Sequence, residues 1–196
     1  TTKHTDVNAS AEFNPQLTCE GHSAEGFGLC WSPHTAGMLL SGSDDHVVCL
    51  WDTNTTKKTI APQLKLTGHT DVVEDVAWHQ TLAHMFGSCG DDGTVKLWDS
   101  RSNQTKKALH TVKDAHGAGI DVNNLAFNPK DENLFVSGGA DGCIQLWDIR
   151  KLTASIHKLE RHGAGVVSVG WMNDSTLGSA GKDRRIMIWY GEAKIE

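Results

Sequence analysis

The chain repeats itself, and this constrains its fold more than any other feature. His22, His69, His116 and His162 recur at intervals of 47, 47 and 46 residues. A second series is Trp51, Trp98, Trp147 and Trp189. Six residues before each of these tryptophans stands Asp45, Asp92, Asp141 or Asp183, and ten before stands Ser41, Ser88, Ser137 or Ser179. A third series, Trp31, Trp78, Phe127 and Trp171, places all seven tryptophans in two repeat columns. A period of roughly 20–50 residues marks modules that cannot bury an apolar face alone and must stack on their neighbours.

Inside each unit the pattern is that of short strands between turn residues. The first unit gives strands over 28–31, 38–42 and 47–51, the second over 73–78, 85–89 and 94–98. The third gives 122–127, 134–138 and 143–147, the fourth 166–171, 176–180 and 186–189. Runs rich in Val, Ile and aromatics, broken by Asp-Gly or Asp-Asp, are hairpin signals. A fourth strand is expected before each following histidine, over 63–66, 108–112 and 155–159, and an opening one over 17–20. No helical periodicity of useful length competes. The fold class expected is all-β, with repeats at about 17–63, 64–110, 111–157 and 158–196 and an extended arm over 1–16.

Composition narrows the classes. Apolar residues make up 38% of the chain, enough for a core, so a disordered chain is excluded. No apolar run approaches the roughly 18 residues of a membrane span. The net charge of −6 makes a poor general nucleic-acid binder and a host for basic partners. Five cysteines without a CxxC pair imply a reducing compartment, no disulfide framework and no zinc site. Cys19, Cys30, Cys49, Cys89 and Cys143 fall mostly on expected strands, as small apolar groups.

Over about residues 17–190 the pattern resembles the WD-repeat β-propeller, which implies radial four-stranded blades around a central channel. The resemblance gives the His, Ser, Asp and Trp columns a structural role: the imidazole links the turn carboxylate to the strand hydroxyl and the indole N–H. A Ser–His–Asp hydrolase would need one asymmetric constellation with an exposed nucleophile, and four copies each bearing a Trp are the opposite of that. His4, His34, His46, His79, His84, His110 and His157 have no ligand spacing and read as loop or surface residues. No phosphate loop or metal triad is present, so no enzyme, cofactor or metal is expected.

Strand bookkeeping leaves the ring open. The opening strand reads as the outer strand of a missing blade, and the last unit lacks its own. WD propellers usually have seven blades, so a segment of a longer protein is expected. A closed four-bladed ring, with the opening strand pairing on the last unit, is the other arrangement.

Loop sequences carry a finer resemblance. They are 25–31 (EGFGLCW), 43–52 (SDDHVVCLWD), 72–79 (VVEDVAWH), 86–88 (FGS), 97–103 (LWDSRSN) and 182–189 (KDRRIMIW). These are similar to histone-binding WD proteins related to the retinoblastoma-binding chaperones and the small subunit of chromatin assembly factor. From the spacing alone, positions four and six before each inner-strand aromatic ring one channel mouth. They are Phe27, Glu74, Asn123 and Val167, and Glu25, Val72, Asp121 and Gly165. Glu25, Glu74 and Asp121 would make that mouth negative, with Phe27 and Asn123 beside them. The resemblance implies that Glu25, Phe27, Glu74 and Asn123 contact peptide, that the partners are histone tails or basic segments of chromatin-complex subunits, and that the protein is a nuclear, and also cytoplasmic, scaffold. Gly165 and Val167 depart from the family's acidic and aromatic residues. The family's side groove needs an N-terminal helix, and residues 1–16 show no amphipathic pattern.

A different class remains open. Trp98-Asp-Ser-Arg101 and Trp147-Asp-Ile-Arg150 match the WDxR ending of substrate receptors for cullin-type ubiquitin ligases, which would make Arg101 and Arg150 adaptor contacts. Direct DNA binding is not expected, because Lys57-Lys58 and Lys106-Lys107 are short pairs without interleaved aromatics.

Overall fold

The computed structural model describes residues 15–102 and 104–191. Apart from Pro15 and Gln16, the expected N-terminal arm lies outside the described residues, as does His4. All regular structure among the described residues is β. Blade 1 is a sheet of β2 (Gly26–Trp31), β3 (Met38–Ser43), β4 (Val48–Asp52) and β6 (Leu64–Leu66). Blade 2 is β7 (Val73–Trp78), β8 (Met85–Gly90), β9 (Val95–Asp99) and β10 (His110–Val112). Blade 3 is β11 (Val122–Phe127), β12 (Leu134–Gly139), β13 (Cys143–Asp148) and β14 (His157–Glu160). Blade 4 has three strands among the described residues, β15 (Val166–Trp171), β16 (Thr176–Gly181) and β17 (Ile186–Tyr190). Every pairing within a blade is antiparallel.

Two short strands fall outside this scheme. β1 (Thr18–Cys19) pairs in parallel with β5 (Thr59–Ile60), which the sequence pattern did not predict. The opening strand thus rests on the loop that follows Trp51, and it is not paired with the last blade.

The second and third strands of each blade turn tightly at one column: His46, Gly93, Gly142 and Arg184. All four have positive φ, from 62° to 78°. Each amide donates to the carbonyl three residues earlier, at 3.1–3.2 Å. Glycine meets this conformation without a Cβ penalty in two blades, while His46 and Arg184 adopt it against their preference.

The core lies between blades. Inner strands pack in series, β2 on β7, β7 on β11 and β11 on β15. Leu40, Val48 and Leu50 of blade 1 meet Val73, Val76, Trp78 and Phe86 of blade 2. Val95, Leu97 and Val112 of blade 2 meet Val122, Leu125, Phe127 and Phe135 of blade 3. Val136 and Ile144 of blade 3 meet Val166, Val169 and Leu177 of blade 4. Fully burying one such side chain contributes about 1.5–3 kcal/mol, so each junction is a substantial part of the stability. The same columns are bare at the two ends. Leu29 and Trp31 are 65% and 57% exposed on blade 1, and Ile186 and Ile188 are 80% and 55% exposed on blade 4. The four blades form an open arc.

Hydrogen bonds along the lower rim tie the blades together. The His34 Nε2–H donates to the His79 carbonyl at 2.9 Å, and the His79 Nε2–H to the Glu132 carbonyl at 2.8 Å. Asn128, in the column of His79, donates to the Asp174 carbonyl at 2.9 Å. His79 therefore corrects the surface reading of the remaining histidines. It is fully buried, its Nδ1 accepts the Thr81 and Leu82 amides, and its ring lies 4.7 Å from that of Phe127.

Candidate peptide-binding mouth

The four clusters assemble as the columns imply. Trp51, Trp98, Trp147 and Trp189 donate their indole N–H to Ser41, Ser88, Ser137 and Ser179 at 2.8–2.9 Å. The serine oxygens lie 2.7–2.8 Å from Nε2 of His22, His69, His116 and His162. Nδ1 of each ring lies 2.9–3.1 Å from Asp45, Asp92, Asp141 or Asp183. A neutral ring completes the chain: indole to hydroxyl, hydroxyl to Nε2, Nδ1–H to carboxylate. The aspartates also accept the amides of Val47, Thr94, Cys143 and Arg185, so one carboxylate fixes both the turn and the histidine.

Burial pushes the pKa of His69 and His116 down against the pull of their aspartates, which keeps the rings neutral. Burial would raise Asp92, but the His69 ring and the Thr94 hydroxyl outweigh it and hold the carboxyl well below its usual range. The serines are 0–9% exposed and each is capped by an indole, so none is presented to a substrate. The arrangement locks each blade internally and presents no exposed serine.

At the start of each inner strand, the end beside the cluster aspartates, the register slips. The shift falls between Val73 and Asp75, Val122 and Asn124, Val166 and Ser168, and Gly26 and Leu29. Each slip is a β-bulge, which re-aims a side chain out of the ladder. Glu74, Asn123 and Val167 are the bulged residues, and Phe27 lies in the blade 1 slip. Residues two positions earlier are tied to the hairpin turn of the same blade. The carbonyls of Glu25, Val72, Asp121 and Gly165 accept the amides of Asp44, Asp91, Ala140 and Lys182 at 2.8–3.0 Å. The mouth therefore carries a second row of side chains that the sequence reading missed: Asp44, Asp91 and Lys182. The signal was the doubled aspartate. In Asp44-Asp45 and Asp91-Asp92 the second acid holds the histidine, while the first bonds the chain entering the inner strand through its amide, and Asp91 lies close enough to Glu74 and Asp121 to feel their charge.

Glu74, Asp91 and Asp121 act on one another. Burial, then Asp121, raises the Glu74 pKa, and Lys182 only partly offsets this. Burial, then Glu74 and Asp121, pushes Asp91 up to about 6. Carboxylates that resist ionising beside one another favour an incoming cation. Glu25 occupies the matching position of blade 1 and is exposed, as is Phe27. The Asn123 amide donates to the Val166 carbonyl at 2.6 Å, which ties blade 3 to blade 4. Val167 is 44% exposed and Lys182 is exposed, so the acidic row ends at blade 4.

Below this row, Asp75 accepts the Leu125 amide at 3.1 Å and the Asn124 amide group, and Asn124 accepts the Val169 amide at 2.7 Å. Burial pushes Asp75 up to about 7 despite these bonds. Three blades are thus linked directly beneath the mouth.

Arg101 and Arg150 stand at matching positions of blades 2 and 3. Their guanidinium groups approach Asp99 and Asp148 at 2.6 Å, the acids of their own Trp-Asp pairs. The Arg101 fork holds Asp99 at a pKa of about 2. Both arginine side chains remain largely exposed. They are remote in the fold from the mouth, since the Trp-Asp pairs end the third strands while the acidic row sits at the start of the inner ones.

The architecture and the repeat clusters agree with the families that match the chain. A family model described as WD domain, G-beta repeat matches residues 153–190, which hold blade 4. A second, described as EIPR1 beta-propeller, matches residues 6–147, most of the chain. WD-repeat propellers are in general scaffolds without catalysis, and this chain, with four cluster-locked blades, belongs to the EIPR1 beta-propeller family of WD-repeat domains.

Proposed function

We propose that this propeller is a non-catalytic nuclear scaffold whose acidic mouth binds histone tails and the basic segments of chromatin-complex subunits. The observation that carries the reading is the row Glu25, Asp44, Glu74, Asp91 and Asp121, supplied by three adjacent blades and raised in pKa where its members crowd. A lysine or arginine entering there relieves mutual repulsion and makes charge-assisted hydrogen bonds, roughly twice as strong as neutral ones. The exposed ring of Phe27 offers a flat apolar face for the aliphatic stem of such a side chain. The resemblance of the loop sequences to histone-binding WD proteins supports this choice of partner.

Glu25→Ala with Glu74→Ala tests it. Hydrogen bonds to charged groups contribute about 1.5–3 kcal/mol each, so affinity for a basic histone-tail peptide is expected to fall at least tenfold. Its salt dependence is expected to flatten as well. Unchanged affinity in a variant with an unchanged melting temperature would contradict the mouth as the site.

Docking of a cullin-ligase adaptor on Arg101 and Arg150 is a second reading, favoured by their exposure at matching positions of neighbouring blades. It is the weaker one, since both guanidinium forks are already engaged by Asp99 and Asp148.

A further inference from the structure

Asp75 follows the bulged Glu74 and is enclosed by inner strands on both sides. The Leu125 amide of β11 donates to its carboxyl at 3.1 Å, and the Asn124 side-chain amide donates to the same oxygen. β2 comes up to it through Gly28, where a Cβ would lie 2.9 Å from the Asp75 Cα. The titratable groups near enough to feel its charge are Glu74 on its own strand, Cys30 of β2 and Cys89 of β8. Burial raises both thiols, so neither supplies a charge. β11 presents only amides to it, and among the described residues no lysine, arginine or histidine pairs with it.

The repeat shows that the link between blades needs no carboxyl. Gly28, Asp75, Asn124 and Ser168 stand three residues before the inner-strand aromatics of the four blades. Asn124 accepts the Val169 amide of blade 4 at 2.7 Å, just as Asp75 accepts the Leu125 amide of blade 3. A neutral side chain thus does in blade 3 what a carboxyl does in blade 2. What the carboxyl adds is a titratable group next to a member of the acidic row. Burial is the larger cause of its raised pKa, and the Glu74 charge raises it further.

We propose that Asp75 couples a proton to the charge of the mouth. It holds the proton while Glu74 is unpaired and releases it to solvent when a cationic side chain neutralises Glu74. The ionised carboxylate then takes stronger, charge-assisted bonds from Asn124 and Leu125. By reciprocity, affinity for a basic segment rises with pH through the range in which Asp75 titrates and levels off above it. The inference deepens the reading of the mouth as a site for basic segments and rests on it for the ligand.

The test is a pH titration of the chain by carbon NMR of its carboxyl groups, read at Asp75 and needing no peptide. The midpoint is expected at about 7. Glu74→Gln, which removes the neighbouring charge, is expected to lower it by about 0.3 pH units or more, which by linkage is about twofold in affinity for a cation that neutralises Glu74. A basic histone-tail peptide should lower the midpoint in the same way. Calorimetry in two buffers of different ionisation enthalpy should then show proton release, reduced in Asp75→Asn, a variant that keeps an oxygen for Leu125 as Asn124 does for Val169. An Asp75 midpoint in the ordinary carboxylate range of about 4, or one that Glu74→Gln leaves unmoved, would overturn the coupling. A peptide that fails to bind while the Glu74→Gln shift is present would support the coupling and refute the ligand assigned to the mouth.

Discussion

Each His–Ser–Asp–Trp cluster places a hydroxyl between two donors and acceptors that have no other partner. Ser88 is fully buried, accepts from Trp98 and bonds His69. Ser88→Ala leaves both rings without their hydrogen bond, and an unsatisfied buried polar group costs about 1–3 kcal/mol. A loss of roughly 2–5 kcal/mol in urea unfolding is therefore expected, against little change for Ser168→Ala at an exposed position. The columns made these clusters legible from sequence, because four copies had to satisfy the same valences. His79 was hidden for the converse reason. Its role is filled by Asn128 in the next blade, so no histidine column exists to find.

His79 also carries a pH dependence. Its Nδ1 accepts two amides, and burial lowers its pKa. The unfolded chain therefore takes up the proton first. Stability from this group is complete above the ordinary histidine value of about 6.5 and is lost as pH falls below it. His69 and His116 act in the same direction. His79→Asn copies the non-titrating side chain of the next blade. Whatever the lost contact with Phe127 costs at neutral pH, the drop in melting temperature between pH 7 and pH 5 is expected to be smaller in the variant. An equal drop would assign the effect to other groups.

At the level of elements, the inner and middle strands follow the alternation of the sequence closely. The outer strands are shorter than the pattern suggested, β6 and β10 having three residues each, because only their ends near the turn meet the third strand. The bulges were not legible. Nothing in Val73-Glu74-Asp75 marks an extra residue, and Asp75, just past the slip, accepts the Leu125 amide of the next blade. The hairpin turn was legible in two blades as Asp-Gly and disguised in two. Arg184 holds φ at 67° where Gly93 and Gly142 stand in other blades. A non-glycine residue in that region loses roughly 1–2 kcal/mol. Arg184→Gly should therefore stabilise the chain by about 0.5–1 kcal/mol after the added freedom of the unfolded state is subtracted. Gly93→Arg should do the reverse, and thermal melts of the pair check both signs.

For the whole molecule, the charge is arranged by the stacking. Bulges at one end of the inner strands turn Glu74 and Asn123 toward the mouth, and the turn residues Asp44 and Asp91 close in beside them. Sequence spacing located the first row because it counts from a fixed aromatic. It missed the second row because the position counted from the tryptophan was already occupied by the cluster aspartate beside it. The finer identity of the partner rests on loop sequences, which stacking does not determine. The most direct test is a structure of the chain bound to a basic histone-tail peptide. The account predicts a lysine or arginine within hydrogen-bond distance of Glu74, Asp91 or Asp121, its stem along Phe27 or the mouth's inner wall. A peptide seated elsewhere, with those carboxylates left to solvent, would contradict it.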